Sequence, residues 1–214
     1  MQHLAIAIDG PAASGKSTLA KGLAKELGLV MVNSGAMYRA VAFAALQAGA
    51  DFEDSESLLN AFQTSEITFG TSGHLSTVEL DGKILDDELR STEVNQHVSA
   101  VAKHPEVRTL LVSKQREYLQ HSHVVMEGRD IGTVVFADSP YKLYLNASTE
   151  TRQARRDAEG IQDSIADRDK ADSGRKASPL KIADDAIIID VDQLNIDTVR
   201  TTAIQALRDK GLPL

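Results

Sequence analysis

The segment Gly10-Pro11-Ala12-Ala13-Ser14-Gly15-Lys16-Ser17 fits the pattern G-x-x-x-x-G-K-[ST] and follows a strand-like run from Leu4 to Asp9. No other feature constrains the fold as strongly, because such a loop binds phosphate when it joins a strand to the first turn of a helix. A polyphosphate needs many donors converging from a tight curve, which glycine permits and a β-carbon obstructs. The reading is a nucleoside triphosphate site in which Lys16 reaches the β and γ phosphates and Ser17 sets its hydroxyl on Mg2+. The following helix is credible on its own terms. Leu19, Leu23 and Leu27 recur every four residues beside Ala20 and Ala24, and Gly28 stands where a C-terminal cap belongs.

Further along, the segments 29–33, 124–126, 142–145 and 187–190 are short apolar runs of the kind expected in buried parallel strands. Helical patterns cover about 36–47, 91–103, 106–120 and 198–210. Five strands separated by helices, opening with a phosphate loop, imply an α/β fold with a parallel sheet covered on both faces. Residues 51–90 change character. Ile67 to Phe69, Thr77 to Leu80 and Lys83 to Leu85 are strand candidates, and Asp81-Gly82 is a hairpin signal between two of them. This reads as a small sheet inserted into a helix-rich core.

The stretch 151–176 carries Arg152, Arg155, Arg156, Arg168 and Arg175 among many acids, and is too polar for a core. A solvated helix with intrahelical ion pairs is one reading. Beside a phosphate loop, a mobile segment delivering arginine forks to a phosphoryl group is the other.

The net charge of −8 argues against non-specific nucleic-acid binding, since no basic surplus is available to neutralise a phosphate backbone. With no cysteine there is no disulfide framework, no thiolate nucleophile and no cysteine zinc site. His121 and His123 flank a serine on a polar turn, where solvation is the ordinary state. No apolar run approaches a membrane span of about 20 residues, and the first strand begins close to Met1, so a cytoplasmic protein is expected. Hydrophobic residues at 42% supply a core, and a monomer is the default expectation.

Three segments carry a resemblance: Asp9-Gly10-Pro11, Asn33-Ser34-Gly35-Ala36-Met37-Tyr38-Arg39, and Glu127-Gly128-Arg129-Asp130-Ile131-Gly132-Thr133-Val134-Val135-Phe136. Together with the inserted sheet they resemble the bacterial cytidylate kinases, from the first strand to the last. The resemblance implies transfer of the ATP γ-phosphoryl group to CMP or dCMP with Mg2+. It also implies a core (1–50, 91–150 and 177–214), an inserted nucleoside-monophosphate-binding domain (51–90) and a lid (151–176).

Carried over residue by residue, the ATP site runs from Gly10 to Thr18, and Ser34, Arg39, Arg129 and Arg175 contact the acceptor phosphate. Ser99, Arg108 and Asp130 read the cytosine, and Arg168 and Asp172 contact the sugar. Lys16, Arg129, Arg156 and Arg175 are the expected catalytic set. Each has a plainer alternative: Ser34 as a helix cap, Arg108 as a surface arginine, Asp130 paired internally with Arg129. Asp9 either holds metal-bound water or braces the loop, and Glu127 and Asp190 compete for the metal-related role. The chain departs from the family in a short stretch between Arg156 and Arg168, and in Ala171 and Ser173, where more arginine is expected. The rival readings are another small-molecule kinase on the same core, or a nucleotide switch. The absence of an N-K-x-D guanine-reading tetrapeptide weakens the second.

Overall fold

A computed structural model of the chain describes residues 3–158, 164–175 and 177–214. In chain order the elements are β1 (Ala5–Asp9), α1 (Lys16–Leu27), β2 (Val30–Asn33), α2 (Ser34–Ala48), α3 (Ser55–Thr64), β3 (Ile67–Ser72), β4 (Leu75–Leu80) and β5 (Lys83–Ile84). They continue with α4 (Thr92–Val101), α5 (Pro105–His121), β6 (Val124–Gly128), β7 (Lys142–Asn146), α6 (Thr149–Ala158), α7 (Ile165–Ser173), β8 (Ile187–Asp190) and α8 (Ile196–Asp209). A short 3-10 turn, Glu88–Arg90, precedes α4, and a π-helical turn, Ile131–Val135, follows β6.

One sheet carries the molecule, in the order β3-β4-β2-β6-β1-β7-β8, with β5 paired to β4. β1 lies between β6 and β7, parallel to both, with Ala7 opposite Met126 and Lys142. Alternation along the strands fills both faces. Ile6, Ile8, Val125, Leu143 and Leu145 pack with α1 and α8, whereas Ala5, Ala7, Val124 and Met126 pack with the alanine-rich α2 and with α4 and α5. Strands buried on both sides read as continuous apolar runs, which is why these were visible in the sequence.

The five expected core strands are β1, β2, β6, β7 and β8, all parallel. The strand count is larger than that, and the inserted sheet is not separate. β4 joins the free edge of β2 in parallel at Met31 and Leu75, and the Met31 amide donates to the His74 carbonyl at 2.8 Å. An exposed edge strand is a row of unpaired donors and acceptors, and the insertion covers that of β2. The helix α3 was not expected. Asp54 caps it by accepting from the Glu56 and Ser57 amides, and Leu58, Ala61 and Phe62 are its buried face.

The region from α6 to α7 is also less solvated than its composition implied. Ile165 is fully buried, and Arg152 and Asp172 are nearly so. The charges are buried because they are paired: Arg152 forks onto both oxygens of Asp169 at 2.6 and 2.9 Å. The stretch between Arg156 and Arg168, expected to be short, includes residues 159–163, which lie outside those described. Among the described residues no helix is long and apolar enough to cross a membrane.

Candidate active site

Because the core strands are parallel, their carboxyl ends share one edge of the sheet, where ligands bind in open α/β folds. The loop after β1, the start of α2, the turn after β6 and the helices α6 and α7 meet there around a cavity of about 1090 Å3. The loop between β1 and α1 is shaped by backbone demands. Gly10 has φ +152°, and a β-carbon there would stand 2.5 Å from the Leu145 carbonyl oxygen. Lys16 Nζ is buried under the loop and donates to the Pro11 carbonyl at 2.6 Å and to Ser14 Oγ at 3.3 Å. Burial, and then the nearby Arg129 charge, lower the Lys16 pKa to about 7.

Asp9 lies behind the loop. Its two oxygens accept from the Ile131 and Gly132 amides at 2.8 and 2.7 Å, so it ties the end of β1 to the π-helical turn after β6. Burial raises its pKa to about 6 against the pull of those amides. Glu127 is the acid that meets the loop: Ser17 Oγ donates to Glu127 Oε1 at 2.8 Å. Asp190 is exposed at the end of β8, where it accepts from Asn146 and from the Asp192 amide. Among the described residues no cluster of three or more acids and histidines is arranged to hold a metal by itself.

The first turn of α2 faces the end of β6 at close range. Ser34 Oγ donates to the Glu127 carbonyl at 2.7 Å, while Asn33 caps the helix by accepting from the Ala36 amide. Ser34 is therefore not the cap, and its hydroxyl lies over Gly128, where a β-carbon would come within 2.6 Å of it.

Arginines converge opposite the loop. Arg129 Nε donates to Asp172 Oδ2 at 2.5 Å, and Arg175 takes the other Asp172 oxygen, so one carboxylate from α7 separates two guanidiniums. Arg39 Nε donates to Asn95 Oδ1 at 3.2 Å, and Arg168 Nη2 approaches the same oxygen at 3.5 Å. Burial, together with the Arg168, Arg129 and Arg156 charges, lowers the Arg39 pKa to about 10 despite Glu127 nearby. Arg39, Arg129, Arg168 and Arg175 all line the same cavity.

Deeper in the cavity, Arg108 pairs with Asp130, and both are 4% exposed. Arg108 also donates to the Ala102 carbonyl and lies 5.3 Å from the centre of the Tyr38 ring. Neither plainer reading of these two residues fits, since Arg108 is buried and Asp130 pairs with Arg108 and not with Arg129. Ser99, on α4, lines the same wall.

The structure thus gathers into one cavity the wall residues from Ala12 to Thr18, Ser34, Arg39, Ser99, Arg108, Arg129, Asp130, Arg156, Arg168, Asp172 and Arg175. Gly10, Pro11 and Asp9 support it from behind. Sequence reasoning missed Asn95 and Tyr38, and it missed the anchoring role of α6: Arg152 donates to the Ala12 carbonyl at 3.4 Å and Arg155 to the Ala13 carbonyl at 3.3 Å. Tyr38 had a signal, standing four residues after Ser34 on one helix face. Asn95 had none, because the two arginines that meet its oxygen come from distant segments.

The family described as cytidylate kinase matches residues 6–209. A cytidylate kinase from Exiguobacterium sibiricum is 44% identical over 93% of this chain and 94% of its own length. One from Anoxybacillus flavithermus is 44% identical over 92% of this chain and 93% of its own. A crystallised protein from Eubacterium ventriosum, described as uncharacterized, covers 96% of this chain and 99% of its own at a TM-score of 0.50 and 14% identity, a likeness of fold alone.

Proposed function

The chain belongs to the cytidylate kinase family, and on that premise we propose how its residues share the transfer of the γ-phosphoryl group from ATP to CMP or dCMP. The reading rests above all on one observation: the phosphate loop, the arginine cluster and the buried Arg108 and Asp130 pair open into a single cavity. The loop from Gly10 to Thr18 holds the ATP phosphates. Lys16 turns from its loop partners to the β and γ oxygens, whose negative charge restores the protonation that burial disfavours.

The attacking group is already a phosphate oxygen anion, so no general base is required. Attack forms a phosphorus–oxygen bond to the monophosphate as the bond to ADP breaks. The obstacle is repulsion between two anions in a dry site. Ser34, Arg39, Arg129 and Arg175 neutralise and aim the acceptor phosphate, and Lys16 and Arg156 stabilise the group in flight. Asp130 accepts from the exocyclic amine of cytosine, with Ser99 and Arg108 completing the base contact. Uracil would set a carbonyl oxygen against that carboxylate. Arg168 and Asp172 face the sugar. Asp172 keeps lone pairs free for a hydroxyl even while it holds two arginines.

Mg2+ fits the oxygen donors present, Ser17 Oγ with Glu127 Oε1 2.8 Å away, because this ion is ordinarily held by one or two protein oxygens, water and phosphate. When bound it would screen phosphate charge and orient the γ group. Glu127 is assigned the ordering of its water shell, since Asp9 spends both oxygens on backbone amides. The division into a core, a 51–90 domain that closes over the monophosphate, and a lid at 151–176 belongs to the same proposal. So does a monomeric, cytoplasmic enzyme that acts on free nucleotides and not on nucleic acid or membranes.

The test is a coupled ADP-release assay with Mg-ATP, offering CMP, dCMP, UMP, AMP or no acceptor in parallel. Turnover strongest with CMP or dCMP is expected. ATP binding without turnover of either overturns the assignment.

A further inference from the structure

We propose that Asn95 is a positioning residue for the acceptor nucleotide, a neutral bracket that aims Arg39 of α2 and Arg168 of α7 at it together. The inference rests on the kinase reading and adds to it a residue outside the phosphate, base and sugar contacts assigned above. Asn95 Nδ2 donates to the Arg90 carbonyl at 2.8 Å and to the Ser91 carbonyl at 3.1 Å, at the turn that starts α4. Both amide hydrogens are therefore spent on backbone carbonyls, and this determines the orientation of the amide: only Oδ1 remains, and it faces the cavity. That oxygen accepts from Arg39 Nε at 3.2 Å and is 3.5 Å from Arg168 Nη2.

The neutrality of the bracket matters. Two guanidiniums brought to one point repel, and the Arg168 charge adds to burial in lowering the Arg39 pKa. A carboxylate at position 95 would hold them more firmly but would cancel the charge they offer to a phosphate. The amide oxygen orients both and adds no negative charge of its own. It also couples two elements remote in sequence, because Arg39 belongs to α2 and Arg168 to α7. Arg39 gives Asn95 only its Nε hydrogen, and a guanidinium carries further donors on its two terminal nitrogens.

The experiment is steady-state ADP release at varied CMP and varied ATP for the unmodified chain, Asn95→Ala, Asn95→Asp, Arg39→Lys, and Asn95→Ala combined with Arg39→Lys, with a thermal melt of each. Absence of CMP turnover by the unmodified chain would overturn the kinase reading itself. Given turnover, Asn95→Ala is expected to raise KM for CMP about tenfold, with KM for ATP within about twofold. Asn95→Asp is expected to raise it at least as much, although an acceptor is kept, because the carboxylate competes with the phosphate. In the Arg39→Lys background the Asn95→Ala effect should shrink to about twofold or less, as expected for residues acting through one contact. Multiplying effects in the double variant, a parallel rise in KM for ATP, or a milder Asn95→Asp would each overturn the proposal and reduce Asn95 to a brace for the start of α4.

Discussion

Arg129 Nε lies 2.5 Å from Asp172 Oδ2, a pair that joins the turn after β6 to α7 across the cavity. The other Asp172 oxygen holds Arg175, so a single negative charge stands where two guanidiniums meet. In the proposed function this carboxylate holds the two arginines for the acceptor phosphate. Burial raises the Asp172 pKa, but the Arg129 and Arg175 charges outweigh it and leave the group below its ordinary 3.8.

Asp172→Asn leaves both guanidiniums without their counter-charge, and breaking a mostly buried pair in this way costs about 3 kcal/mol. The unfolding midpoint of the free protein is expected to fall by about 5–10 °C. Saturating CMP should restore more of the midpoint in the variant than it adds to the parent, because the phosphate replaces the lost charge. Thermal melts with and without CMP check this, and equal ligand shifts in the two proteins would refute it.

The pH dependence has a definite sign. A carboxyl whose pKa is depressed on folding stabilises above its unfolded value and loses that contribution as pH falls through the folded value. Asp172 therefore contributes fully above about pH 4 and progressively less below 3.8. Urea midpoints of the parent and Asp172→Asn, compared from pH 7 to pH 3, should converge at the acid end.

In the proposed base contact, Asp130→Asn replaces an acceptor with a group that can donate to the uracil oxygen. The CMP to UMP ratio of kcat/KM is expected to drop about 10- to 100-fold, the scale set by mismatched buried polar groups. An unchanged ratio would remove Asp130 from the base-reading set and leave it as the buried partner of Arg108.

Glu127→Gln keeps the hydrogen bond with Ser17 within reach but removes the carboxylate charge that we assign to the Mg2+ water shell. Half-maximal activity should then require about tenfold more Mg2+, the range seen when groups behind a metal site are neutralised. The Mg2+ titration at fixed ATP is the measurement, and an unshifted curve would reassign Glu127 to support of Ser17 alone.

Lys16→Ala removes the loop cation from the group in flight. A fall in kcat of about 10²- to 10³-fold is expected, with a much smaller change in KM for CMP. Single-turnover kinetics separate this from slow product release.

Much of the fold was legible because its signals are local. Buried strands such as Val124 to Met126 announce themselves as apolar runs, and the glycine pattern from Gly10 to Gly15 announces the loop. α3 was obscured because its buried face, Leu58, Ala61 and Phe62, is interrupted by polar residues in a stretch dominated by strand signals. The polarity of residues 151–176 suggested a solvated surface, but Arg152 and Asp172 are buried, Asp172 against the distant Arg129 as well as its neighbour Arg175. Asp9 was ambiguous for the same reason, since the amides it accepts from lie more than 120 residues away.

The sequence by itself determined a parallel α/β core and a phosphate loop at the end of its first strand. These follow from periodicity, glycine placement and motif, all of which act over a few residues. Only the tertiary structure decided which acid meets Ser17, which partner Asp130 takes, that the insertion extends the main sheet, and that Asn95 stands between Arg39 and Arg168. Those are pairings between charges and edges brought together by the packing of distant elements. Their strength depends on distance and on exclusion of water, quantities that exist only once the chain has folded.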